Sequence, residues 1–333
     1  YTGVFSNANV GSGKTVTITP SYAGADVNNY SVTDQSTTTA DISAKALTAT
    51  ASASNKTYDG GTTASTTLTF TGLVGSETLG QTVGSTFDNK NVGSNKTVTV
   101  NSITLADGSG LAANYSISAG QTTTADITAK SLTVSGITAS NRTYDGSTNV
   151  TLTGTAVYSG LVSGDTFNGT YTGAFSDKNA GVGKTVTITS SYSGADVSNY
   201  SVTDQSSTTA NITAKSLTVS GIAASDKTYD GSVTATMNGN SAVYSGLVAG
   251  DTFDGSYTGV FSNANVASGK TVNITSTYSG ADVNNYSVTD QSTTTASITQ
   301  KALTATASAS NKTYNATNSA SVTLTLSGLI GSE

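Results

Sequence analysis

The side chains in this sequence that could do chemistry are few, and they recur. Lys56-Thr-Tyr-Asp-Gly60, Arg142-Thr-Tyr-Asp-Gly146 and Lys227-Thr-Tyr-Asp-Gly231 each set a phenol beside a carboxylate; a fourth copy departs and reads Tyr314-Asn315-Ala316. A Tyr-Asp pair could contact a ligand through an aromatic face and an acceptor oxygen. The same residues also make a core or cross-strand tyrosine followed by an Asp-Gly turn that needs positive φ. That structural role is the expected one for Tyr58, Asp59, Gly60, Tyr144, Asp145, Gly146, Tyr229, Asp230, Gly231 and Tyr314, and the loss of glycine in the fourth copy puts its turn in question.

Other recurring groups suggest chemistries that the inventory weakens. Asp26, Asp34, Asp196, Asp204, Asp282 and Asp290 repeat, but calcium takes about six to eight oxygens, usually from clustered carboxylates, and the chain has only two Glu. Lys45, Lys130, Lys215 and Lys301, in an Asn-rich chain, suggest Lys-Asn isopeptide cross-links, yet no repeated Glu is available as the acid. Asn55, Asn114, Asn141, Asn199, Asn285 and Asn311 lie in Asn-x-Ser/Thr sequons open to glycosylation in a secreted chain. Thr-x-Thr pairs such as Thr15/Thr17 and Thr185/Thr187 recur once per repeat, too sparsely for an ice-binding ladder. With no His and no Cys there is no imidazole base, thiolate or His/Cys metal site. The expectation is a non-enzyme without cofactors or metals.

The elements that position these groups follow from internal repetition. Lys45-Ala-Leu-Thr returns as Lys130-Ser-Leu-Thr, Lys215-Ser-Leu-Thr and Lys301-Ala-Leu-Thr, and Asn-Tyr-Ser returns with Tyr30, Tyr115, Tyr200 and Tyr286. The period is about 85 residues, long enough for a small domain with its own core. Residues 1 to 77 also align without a gap on residues 257 to 333, giving a longer period of 256. The expected modules are 45–129, 130–214 and 215–300, with the C-terminal part of a module at 1–44 and the N-terminal part of one at 301–333.

Within each module apolar residues alternate with Thr and Ser: Leu47, Ala49, Ala51 and Ala53; Leu68 and Phe70; Val98 and Val100; Val186 and Ile188. Alternation of period two predicts half-buried strands, while Asp-Gly and Gly-Asp pairs punctuate them as turns. Thr and Ser fill 114 of 333 positions, but net charge is only -6 and there is one Pro, so thin β-structure is expected rather than disorder. About six short strands and no helix are expected per module. No Gly/Ser or Pro tract separates Thr128 from Lys130, which predicts modules joined end to end with little swivel. The predicted fold class is all-β, a tandem array forming an extended rod.

These motifs together resemble a known family. A Lys-x-Leu-Thr start, a central Lys-Thr-Tyr-Asp-Gly, a Gly-Lys-Thr-Val-Thr strand and a late Asn-Tyr-Ser are similar to the YDG-type and related MBG-type, mostly β-grasp-like, repeats of large bacterial filamentous-haemagglutinin-like adhesins. The resemblance spans the whole chain. It implies a secreted, extracellular or cell-surface stalk in which repeats supply length and ligand recognition lies elsewhere, and it assigns the repeats no catalytic residues.

The expected function is therefore structural: the stalk or fibre region of a bacterial surface adhesin, serving cell adhesion, biofilm or extracellular matrix. Two other readings stay open. One is a self-assembling extracellular filament subunit with strand pairing between molecules; the other is a multivalent glycan- or protein-binding array. The expected partners are neighbouring repeats of the same chain, and other copies in a fibre or matrix. An acidic chain of pI near 4.5 offers no basic patch for nucleic acid, and no apolar run approaches the roughly 20 residues of a membrane span. Without an initiator Met and opening in mid-motif, the sequence reads as a piece of something longer.

Overall fold

The computed structural model describes all 333 residues, Tyr1–Glu333. Nearly every regular element is a β-strand, and the only helical turns are four three-residue 3-10 turns, each just before the tyrosine of an Asn-Tyr-Ser. No helix is long and apolar enough to cross a membrane. The all-β repeat array expected from the alternation is what forms. More strands form than the six per module expected, because the Lys-Thr-Tyr region contributes pieces of only two residues, such as Lys56–Thr57 and Thr63–Ala64.

The chain folds into two compact units. The first contains residues 1–135, 156–170 and 191–204, and the second contains residues 136–155, 171–190 and 205–333. The packing units are thus offset from the sequence repeat: residues of 130–214 are shared between both.

In the first unit, the strand Gly93–Asp107 lies at the centre of a five-stranded sheet, antiparallel to Leu79–Phe87 on one side and to Thr122–Thr128 on the other. Lys56–Thr57 closes one edge of this sheet, parallel to Thr122–Thr128. Period-two alternation turns Val98, Val100, Ala125 and Ile127 inward, and all four are buried. The next repeat then opens with Lys130–Ser135, which runs parallel to Tyr200–Thr203 and antiparallel to Val157–Ser159. Leu132, completely buried on that strand, joins Tyr58, Phe87, Val98 and Ile127 in one hydrophobic core together with Phe167 and Tyr200. A single core therefore takes its residues from two consecutive repeats.

The second unit repeats this plan. Lys215–Ser220 lies between Val243–Ser245 and Tyr286–Thr289, and its buried Leu217 packs with Tyr144, Val186, Ile212, Phe253 and Tyr286. A five-stranded sheet ordered Lys227–Thr228, Thr293–Thr299, Ala267–Ser279, Asp254–Phe261, Thr234–Ala235 carries a further core around Phe261, Val272 and Ile298. In each central strand the register shifts just before the repeated lysine, Lys96, Lys184 or Lys270. The residue preceding that lysine takes positive φ there: Asn95, Gly183 and Gly269. A bulge with a left-handed residue is the expected answer to an extra residue on one strand.

Candidate functional site

The Lys-Thr-Tyr-Asp-Gly motif builds the place where one repeat meets the next. Its lysine or arginine turns back over the loop. Lys56 Nζ lies 2.7 Å from Asp59 Oδ1 and donates to the carbonyl of Gly61; Arg142 and Lys227 pair in the same way with Asp145 and Asp230. Each of these cations also sits over a core phenylalanine, Phe87, Phe175 or Phe261. The aspartate closes the turn by accepting an amide two residues on: Gly61 to Asp59 at 2.9 Å, Ser147 to Asp145 at 2.8 Å and Ser232 to Asp230 at 2.9 Å. This is the Asx turn that short acidic side chains favour.

Glycine completes the contact. Gly60 has φ +81, and a Cβ there would meet Val162 of the following repeat at 2.8 Å; Gly146 and Gly231 face Val248 and Ile330 likewise. Gly60→Ala is expected to cost about 1–2 kcal/mol for the left-handed backbone and to displace Val162 as well. Gly61→Ala, where only the Asp59 carboxylate at 3.5 Å lies near the added carbon, is the control. Equal urea midpoints for the two variants would refute the contact. In the fourth copy the turn survives: Asn315 accepts the Thr317 amide at 3.2 Å and Ala316 itself adopts φ +58. Tyr314 is exposed.

Tyr58, 1% exposed, reaches across the junction. Its hydroxyl donates to Asp165 Oδ2 at 2.8 Å, and Tyr200 donates to the same oxygen at 2.6 Å, the two rings meeting edge-on with centroids 5.5 Å apart. Lys90 of the upstream repeat donates to Asp165 Oδ1 at 3.0 Å and pairs with Asp196 at 2.7 Å, its ammonium 5.8 Å from the centre of the Tyr58 ring. Asn199, fully buried, accepts the Val92 amide at 2.9 Å and donates to Asn91. In the second unit Tyr144, Lys178, Asp251, Asp282, Asn285 and Tyr286 reproduce this arrangement. Tyr229 reaches in the same way to Glu333.

The electrostatics favour a permanent ion pair. Burial pushes the Asp165 carboxyl up, but the hydroxyls of Tyr200 and Tyr58 and the Lys90 ammonium outweigh it and hold the group below the usual carboxylate range. Asp251 behaves alike among Tyr286, Tyr144 and Lys178. Asp196 raises Lys90 with help from Asp165. Burial and the Asp165 carboxylate push Tyr200 up to about 12, and burial and Asp251 do the same to Tyr286. None of these groups is poised as a base or nucleophile near neutrality.

The signs give a pH profile. The depressed aspartates contribute stability that is complete above about pH 4 and is lost as pH falls through their folded values, while the raised tyrosines contribute stability that is lost as pH climbs from about 10 toward 12. With no histidine in the chain, the urea midpoint is expected to stay flat from about pH 5 to 9 and to drop on both sides. A slope between pH 6 and 8 would contradict it.

The other groups singled out by sequence lie apart from this site or serve it. Asp196 and Asp282 hold the junction lysines, whereas Asp34, Asp204 and Asp290 each accept a tyrosine hydroxyl, from Tyr22, Tyr192 and Tyr278. Asp26 is exposed and precedes a 3-10 turn. Nowhere do three His, Cys, Asp or Glu side chains converge. The side chains of Lys45, Lys130, Lys215 and Lys301 make no hydrogen bond or ion pair. Among the sequons, Asn199 and Asn285 are buried in junctions, while Asn55, Asn141 and Asn311 are exposed.

Sequence reasoning missed Lys90 and Lys178. Their counterparts are Ala8 and Ala264, so no repeated lysine drew notice; a comparison of that position with the acids of the following repeat would have found it. A comparison with curated proteins gives no match. The family model of the YDG domain matches residues 43–125, 128–210 and 213–296, three tandem copies covering well over half of the chain. The chain belongs to the YDG domain family.

Proposed function

We propose that this chain is a spacer region of a large bacterial surface adhesin, extracellular and non-enzymatic, whose repeats set the distance between a cell and whatever the parent protein binds. The observation that carries this reading is the junction itself. Tyr58 of one repeat and Tyr200 of the next share one core, Lys90 of the first and Asp165 and Asp196 of the second join them in one hydrogen-bonded cluster, and only Ala129 separates the strands Thr122–Thr128 and Lys130–Ser135. Such a joint suits a part whose work is to hold spacing.

A low-charge surface rich in hydroxyls fits a segment that stays hydrated without binding counter-charges strongly. Small-angle X-ray scattering on this chain and on chains with added 256-residue super-repeats tests the reading. The maximum dimension should grow in proportion to repeat number. Growth with the cube root of mass would exclude a spacer.

A further inference from the structure

The four junctions of the chain are of two kinds, and the residues on their two sides change together. Where the upstream repeat presents Lys90 or Lys178, the downstream repeat presents two aspartates, Asp165 with Asp196 or Asp251 with Asp282. Where it presents Ala8, the facing repeat carries Glu77, and Leu111 stands at the place of the second aspartate. Where it presents Ala264, the facing acid is again a glutamate, Glu333. The common scaffold does not change. Val10 donates to Asn114 at 2.8 Å as Val92 does to Asn199 at 2.9 Å and Ala180 to Asn285 at 2.8 Å; the upstream tyrosine meets the facing acid at three junctions, from Tyr58, Tyr144 and Tyr229, and Tyr115 binds Glu77 within its own repeat as Tyr200 binds Asp165.

We infer that this covariation is a pairing code: the upstream face of a repeat selects which repeat can follow it, lysine requiring the aspartate pair and alanine requiring a single glutamate. The mismatches are unequal in cost. Alanine opposite Asp165 and Asp196, whose side chains are only 4% and 11% exposed, leaves two buried carboxylates that both reached one nitrogen with no cation between them. Like charges in such a place repel strongly, and one must take up a proton. Lysine opposite glutamate and leucine keeps one acid and loses the other, a milder penalty because Lys90, 37% exposed, can turn toward water.

The partner recognised is therefore another repeat of the same chain, and the code separates neighbours that are otherwise nearly alike. In an array of repeats built on one plan, pairing with the wrong copy during folding is the characteristic hazard. Covalent order makes neighbours close; the code penalises the Ala8 face seated one place too far, on the Asp165/Asp196 end, and the Lys178 face seated on Glu333, whereas Lys90 on Asp251/Asp282 is a match that covalent order alone must prevent.

A conversion cycle on the full 333-residue chain tests this, read by hydrogen exchange at the Val92 and Val162 amides, with the Ala180 and Val248 amides of the other lysine junction as internal reference. Lys90→Ala alone and the double change Asp165→Glu with Asp196→Leu should each lower protection at Val92 and Val162 by about tenfold, the range of coupled neighbours. Lys90→Met, which keeps the aliphatic stem, should fall with Lys90→Ala. The triple variant, which rebuilds the alanine type, should recover to within about threefold of the parent. Additive losses in the triple variant, or a Lys90→Met variant that keeps full protection, would overturn the code.

Discussion

Replacing Leu132 by alanine is expected to lower stability by about 3–4 kcal/mol, within the range for truncating a buried leucine. The side chain is fully buried, and its strand is hydrogen-bonded on both edges, to Val157–Ser159 and Tyr200–Thr203. Neighbouring backbone cannot collapse into the space, so the cavity penalty adds to the lost transfer energy. The diagnostic feature is where the loss is felt. Leu132 belongs to one repeat, but its core partners Tyr58, Val98 and Ile127 belong to the one before. Hydrogen exchange should therefore speed up at the amides of Val98 and of Tyr58, the latter bonded to the Thr128 carbonyl at 2.9 Å, as well as along Lys130–Ser135. If the upstream amides keep parental exchange while the Leu132 strand opens, the shared core is wrong.

Asp165→Ala should cost about 3 kcal/mol, the lower end for removing one partner from a buried charged cluster. Its carboxylate accepts from Tyr58, Tyr200 and Lys90. Without it, two buried hydroxyls lose their acceptor and each bears a desolvation penalty, while Lys90 retains Asp196 and some water, which keeps the loss from the top of the range. Tyr58→Phe alone should cost about 1 kcal/mol, a typical net hydrogen bond. In the Asp165→Ala background the same change should cost nothing or stabilise, because the orphaned hydroxyl goes with it. Denaturant unfolding of the four proteins decides this, and equal Tyr58→Phe effects in both backgrounds would show that the two residues do not interact.

Much of the fold was legible in the sequence because its signals are local or periodic. Val98 and Val100, or Val186 and Ile188, alternate with threonines, and the pleat turns such residues to one face wherever the strand sits. Asp59-Gly60 announced a turn, and Gly60 has φ +81. The copy that each tyrosine would touch was not legible. In a repeat of about 85 residues, a contact from Tyr58 to the acid of its own repeat, Glu77, and one to that of the next, Asp165, are the same statement shifted by one period. Only packing decides between them, and it chose the partner 107 residues away.

The fine structure was hidden for a different reason. Lys56–Thr57 and Thr63–Ala64 are too short to show any periodicity, and they form because the longer strands beside them offer a free edge. Tyr314-Asn315-Ala316 cast doubt on a turn that nonetheless forms, since Asn315 supplies the side-chain acceptor that Asp supplies elsewhere and Ala316 accepts the strain.

The parallel pairing of each repeat's first strand has a mechanical consequence. Lys130–Ser135 and Tyr200–Thr203 run the same way in register, Lys130 beside Tyr200 and Thr133 beside Thr203, as do Lys215–Ser220 and Tyr286–Thr289. Chain enters a repeat at the start of one of these strands and leaves beyond the end of the other by way of Ser207–Thr213, a strand of the neighbouring sheet; once that strand is drawn taut, tension slides the parallel pair past each other. Every rung of the ladder then carries load at once and fails together, whereas strands pulled from a shared end would peel apart one rung at a time.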